Sequence, residues 1–177
     1  MGRKLFFWEL GGFLFTGALG TLLHFVYEWS GGSLPAACVS AVNESTWEHM
    51  KLLFVPMFLY SVAQIGLLGR NYPNLLAVRA LGVLTGLALI PVLFYTYTGI
   101  LGRNINWVDI SIFFLADLAA FSLDFALLRR GKLSGRWMQI LGLAVLWGLA
   151  FCFVWCTFRP PHLPLWRDPV SGIYGIP

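Results

Sequence analysis

The second apolar run of the chain reads LLFVPMFLYSVAQIGLL from Leu52 to Leu68 and contains no charged residue. It follows directly on a polar segment, residues 43–51, that carries two carboxylates, an imidazole and an amine. A helix of about 20 apolar residues spans the hydrocarbon core of a bilayer. The run therefore predicts a membrane helix that begins within the polar segment. Because ionisable groups near hydrocarbon are costly and usually functional, this segment is the first candidate for the wall of a site.

Composition places the whole chain in the same class. Of its 177 residues, 58% are hydrophobic and only 11% are charged, whereas about a quarter of the residues of a soluble domain are charged. The net charge is +4, but the basic residues lie at the ends of apolar runs and form no stripe, so nucleic-acid binding is not expected. The composition predicts a multi-pass membrane protein whose partner is membrane lipid.

Five apolar runs are long enough to cross a bilayer as helices. They cover residues 5–29, 44–68, 75–97, 107–128 and 137–158. We therefore predict an all-α fold: a single membrane domain, residues 1–177, built as a bundle of five transmembrane helices. Residues 159–177 form a Pro-rich tail that folds over the outer surface.

The distribution of basic residues predicts the orientation, because cytoplasmic loops carry an excess of Lys and Arg. With the N-terminus inside, eight basic residues lie on the cytoplasmic side and four on the outer side. The eight are Arg3, Lys4, Arg70, Arg79, Arg129, Arg130, Lys132 and Arg136. The predicted topology has the N-terminus inside and the C-terminus, with the tail, outside.

Most of the acidic residues and all of the histidines then fall at or near the outer level. His24 and Glu28 are four residues apart on one helix face, and Glu48 and His49 begin the next span. Imidazole and carboxylate groups are the usual ligands of catalytic zinc. We predict these four residues as ligands of zinc or another divalent metal, in an enzyme that hydrolyses a lipid-like substrate. Glu48 and Asp117 are the predicted catalytic residues.

Two other functions stay open on the same residues. Asp117 lies in the middle of the fourth span, as a proton or ion carrier would, which favours a transporter or conducting subunit. Tyr60, Gln64 and Asp109 would line the substrate pocket of the enzyme, whereas Asp117 and Gln64 would line the path of a transporter. The third alternative is a non-catalytic membrane subunit that packs against another protein through its aromatic outer face.

A purely structural explanation applies to part of the polar segment. Asn43 is a good N-cap residue, and the spacing of Ser45 and Glu48 matches a capping box. An acidic residue near a helix start, such as Glu44, is favoured by the helix dipole without any function. On this interpretation Glu44 stabilises the helix and binds nothing.

The polar segment also carries a family resemblance. Asn43-Glu44-Ser45-Thr46-Trp47-Glu48-His49-Met50-Lys51 resembles the signature of a family of small bacterial integral membrane proteins of unknown function. Residues 168–176, DPVSGIYGI, are similar to the end of the same family. The resemblance implies a multi-pass protein of the bacterial inner membrane, and it supplies no reaction, cofactor or catalytic residue.

Overall fold

The computed structural model describes residues 2–176, and this part of the chain forms six α-helices. They are α1 (Gly2–Trp29), α2 (Leu34–Val39), α3 (Thr46–Leu68), α4 (Leu75–Leu101), α5 (Asn106–Arg130) and α6 (Arg136–Phe158). All except α2 are long and apolar enough to cross a membrane. The predicted all-helical fold with five such helices is confirmed, and it is compatible with a multi-pass membrane protein. The short helix α2 was not predicted.

The long helices run alternately up and down, which gives the bundle two chemically different ends. α1, α4 and α6 end where α3 and α5 begin. This end holds His24 and His49, and we call it the histidine end. The opposite end holds Arg70, Arg129 and Arg136, and we call it the arginine end.

Four of the helices close into a ring. α1 packs against α3 and α5, α4 packs against the same two helices, and α6 lies outside the ring against α4. The ring is filled by a core that includes Leu53, Met57, Val83 and Phe121. Many large apolar side chains instead point outward from the bundle, as they do where lipid rather than water covers a protein.

A close contact between α1 and α3 depends on Gly20 and Pro56, two residue types that usually weaken helices. Pro56 has no backbone N–H, so the carbonyl of Leu52, four residues earlier, loses its helical donor. That carbonyl lies against Gly20 of α1, where an added Cβ would be only 2.7 Å from the oxygen. Glycine at position 20 thus lets the backbone of α1 approach the carbonyl that Pro56 leaves free.

Gly142→Ala is expected to destabilise the contact between α4 and α6 by about 1–3 kcal/mol. A Cβ at this position would lie 2.6 Å from the carbonyl oxygen of Leu76 and 2.8 Å from Cα of Ala77. Both are backbone atoms, so the helices would have to move apart. Thermal unfolding of the detergent-purified protein measures the loss. Gly148→Ala, on the same helix with nothing within 4 Å of its Cβ, is the matched control, and equal midpoints for the two variants would contradict the prediction.

Candidate metal centre and buried ion pairs

The polar segment folds into a short turn that starts α3. Ser45 is the N-cap, and its hydroxyl accepts a hydrogen bond from the Glu48 backbone N–H at 3.4 Å. Asn43 is not the cap; its side-chain oxygen accepts from the Ser45 N–H at 2.9 Å. These two bonds fix the backbone on both sides of Glu44, whose side chain leaves the turn toward the histidines.

Three side chains meet at the histidine end in an arrangement suited to a metal ion. Nε2 of His24 lies 3.7 Å from Oε1 of Glu44, and Nε2 of His49 lies 3.5 Å from its Oε2. One ligand atom from each residue falls within 4.8 Å of the other two. Ligands about 2.0–2.2 Å from a tetrahedral zinc are separated by about 3.4 Å, so these distances are close to those of a zinc site. We call these residues the His–Glu–His group.

The orientation of His49 is fixed by its second ring nitrogen. Nδ1 lies 3.0 Å from the carbonyl oxygen of Ser45, which can only accept, so in the neutral ring the proton resides on Nδ1. Nε2, which faces Glu44, then carries a lone pair. Metal-binding histidines are usually held in this way by a carbonyl or carboxylate on the other nitrogen.

The tail packs over the histidine end. The side-chain amide of Asn43 donates a hydrogen bond to the Gly175 carbonyl at 2.7 Å. The indole of Trp166 lies on that of Trp47, with ring centroids 4.8 Å apart, and Trp47 lies in turn on Phe153 of α6. The turn that carries Glu44 is therefore held in place by residues of the tail and of α6, which are more than a hundred positions away in sequence.

Glu48 belongs to a second, separate cluster. Its carboxylate pairs with Nζ of Lys51 at 2.6 Å and accepts a hydrogen bond from the Thr157 hydroxyl at 3.1 Å. Lys51 also donates to the carbonyls of Ala37 and Ser40, both at 2.9 Å. The buried ammonium group of Lys51 therefore has hydrogen-bond or ion-pair partners on every side. Because these partners come from α2 and its end, α3 and α6, the cluster joins the three helices.

A third cluster lies inside the helical ring, toward the arginine end. Arg79 of α4 donates to Gln64 at 2.5 Å and to Glu9 at 3.2 Å, and its other terminal nitrogen lies 2.7 Å from Asp124. Gln64 also donates to Glu9 at 2.9 Å. Gly82 makes room for Asp124, because a Cβ there would be 2.2 Å from its carboxylate. Four helices thus contribute to one buried ion network.

The predicted site residues therefore separate into several places. His24 and His49 meet, but with Glu44 rather than with Glu28 or Glu48. Glu28 is exposed near the end of α1.

The structure does not bring the three predicted pocket residues together. Gln64 joins the Arg79 network, Tyr60 donates a hydrogen bond to the Trp8 carbonyl, and Asp109 accepts a hydrogen bond from Tyr97. Asp117 is buried in the middle of α5.

Fold and site together define a helical protein with five helices that are long and apolar enough to cross a membrane and with charged groups buried among them. The chain belongs to a family of unknown function, DUF6512, which matches residues 4–176. No curated protein matches the chain. No solved structure matches it.

Proposed function

We propose that the His–Glu–His group is a metal centre for zinc or another divalent transition metal, and that the protein uses it to hydrolyse a lipid-like substrate at the membrane surface. The observation that carries the proposal is the convergence of two imidazole nitrogens on the two oxygens of one carboxylate, at 3.7 and 3.5 Å. Two histidines and a carboxylate are a ligand set of catalytic zinc and of non-haem iron.

Accessibility supports a catalytic rather than a purely structural centre. The side chains of His24, His49 and Glu44 are 30%, 38% and 50% exposed, so the side of the group that faces away from the helices is open. A metal held by three protein ligands keeps a position for water and activates that water for hydrolysis. The chain supplies the orientation: Ser45 fixes the ring of His49, and the Asn43 turn holds Glu44.

The roles predicted for Glu48 and Asp117 do not enter this proposal. Glu48 is only 2% exposed and engaged by Lys51, and Asp117 lies several helical turns from the histidine end of α5. The proposed hydrolysis therefore rests on the metal centre and on Glu44 as its carboxylate ligand.

The metal content of detergent-purified protein, measured by mass spectrometry, tests the proposal. We expect about one metal ion per chain in the wild type and a loss to background in His24→Ala, His49→Ala and Glu44→Gln. His162→Ala is the matched control, because His162 lies in the tail, where it stacks on Tyr174, and is not part of the group.

A wild-type protein that is purified without metal and takes up no zinc on titration would overturn the proposal. So would full metal content in the three ligand variants. The remaining candidates would then be transport through Asp117 and a non-catalytic subunit. Flux of ions into proteoliposomes, lost in Asp117→Asn, separates those two, because only the transporter predicts it.

A further inference from the structure

The interior of the helical ring contains more acidic than basic groups. Glu9, Asp117 and Asp124 are all at least 97% buried, and Arg79, 1% exposed, is the basic residue among them. Arg79 pairs with Glu9 and with Asp124. If all three carboxylates were ionised, the ring would hold an uncompensated negative charge, which is very costly away from water.

Of these three carboxylates, Asp117 is the one that forms no ion pair with Arg79. Neither of its oxygens has a hydrogen-bond partner within residues 2–176, although the side chain is completely buried. It lies seven residues before Asp124 on α5, which corresponds to about 10 Å along the helix. The Arg79 network therefore leaves Asp117 without an ion-pair partner.

A second unpartnered oxygen lies on the facing helix. Thr16 of α1 is completely buried, and its hydroxyl has no partner in the described part of the chain. Other helical hydroxyls here behave differently: Thr21 donates to the Gly17 carbonyl at 2.7 Å, and Ser61 to the Met57 carbonyl at 2.6 Å. The hydroxyl of Thr16 is thus available to a group outside its own helix.

The contacts between α1 and α5 place Thr16 and Asp117 at the same level. An added Cβ on Gly12 would lie 2.3 Å from the ring of Phe121, and one on Gly17 would lie 2.9 Å from the ring of Phe114. Asp117 lies between the two phenylalanines on the same face of α5, because the spacings are three and four residues. Thr16 lies between the two glycines on α1.

We propose that Asp117 is a proton-binding site in the interior of the bundle, where its carboxyl group is buried at the level of the Thr16 hydroxyl. A proton needs one acceptor, whereas a hard metal cation needs roughly six oxygen ligands. The buried residues beside Asp117 on α5, Ala116 and Ala120, offer none from their side chains.

The other polar groups that approach this level are already engaged. Tyr60 of α3 donates to the Trp8 carbonyl, and Glu9 of α1, Arg79 of α4 and Asp124 of α5 form their own network. A protonatable side chain in mid-span is the kind of group that relays protons or couples their movement to transport. This site is separate from the metal centre, at a different level of the bundle.

Infrared spectroscopy of the purified protein, in the presence of a chelator so that the metal centre plays no part, tests the proposal. We expect a carbonyl-stretch band of a protonated carboxylic acid at neutral pH, which shifts on transfer to deuterium oxide. Asp117→Asn should remove the band, and Thr16→Val should change its frequency, because an unpartnered hydroxyl at the level of Asp117 is removed. Asp109→Asn, on the same helix, is the control that should leave it unchanged.

Two results would overturn the proposal. One is a spectrum in which no carboxylic acid band depends on Asp117 or responds to deuterium. The other is a large loss of stability, because an amide that replaces a neutral acid of the same size should change the thermal midpoint by less than about 4 °C. An Asp117→Asn protein that does not fold would therefore also contradict a protonated Asp117.

Discussion

Arg79→Met is expected to destabilise the protein by about 3–5 kcal/mol, because breaking a buried ion pair leaves an uncompensated charge in the interior. Arg79 is 1% exposed and neutralises both Glu9 and Asp124, and its guanidinium also lies 4.6 Å from the centre of the Phe121 ring. Natural proteins have unfolding free energies of only about 5–15 kcal/mol, so a large part of the stability would be lost. Expression yield and the thermal midpoint in detergent measure the effect.

The partners of Arg79 provide the internal test of that explanation. If the loss comes from stranded carboxylates, the triple variant Arg79→Met, Glu9→Gln, Asp124→Asn should recover a large part of the stability. Arg70→Met, in the exposed turn between α3 and α4, is the matched control and should change little. An Arg79→Met midpoint equal to that of the control would contradict the proposed network.

Lys51→Met is the second substitution expected to have a large effect, again about 3–5 kcal/mol. The lysine is completely buried, and its ammonium group contacts Glu48, the Ala37 and Ser40 carbonyls and the Thr157 hydroxyl within 2.9 Å. Methionine is an unbranched apolar side chain one atom shorter than lysine, and it removes every one of these contacts. Glu48 would keep its charge without a cation.

The same midpoint measurement, extended to a double variant, identifies the cause. Lys51→Met with Glu48→Gln should be more stable than Lys51→Met alone, because the unpaired carboxylate is removed. Lys132→Met, which changes an exposed lysine at the arginine end, is the control. A double variant that is no more stable than Lys51→Met would contradict the unpaired Glu48 carboxylate as the cause of the loss.

Hydropathy alone was enough to predict the five long helices, because each span needs about 20 consecutive apolar residues. It was not enough to predict which side of each helix faces the interior. These helices are apolar nearly all round, so no amphipathic stripe marks the buried face. Arg79 illustrates the consequence: its place near the start of α4 suggested a basic residue at the cytoplasmic surface, and the structure turns it inward to Glu9 and Asp124.

Only part of the candidate metal centre could be predicted from the sequence. Two of its three residues, His24 and His49, follow from the ends of the first two spans. The sequence explains Glu44 by the helix dipole alone, because this residue lies just before the helix start and its side-chain direction depends on the turn made by Asn43. Thr16 carried no signal in sequence, since a threonine in a membrane helix normally bonds its own backbone.

The hydrogen bond from Asn43 to Gly175 has a consequence for biosynthesis. It joins residues 132 positions apart at 2.7 Å, and a ribosome delivers the N-terminal part of a chain first. The loop with Glu44 consequently receives its last anchor only after α6 and the tail have been made. Maturation of the histidine end is then a late event, and a nascent chain halted before the tail would form its helices without completing that end.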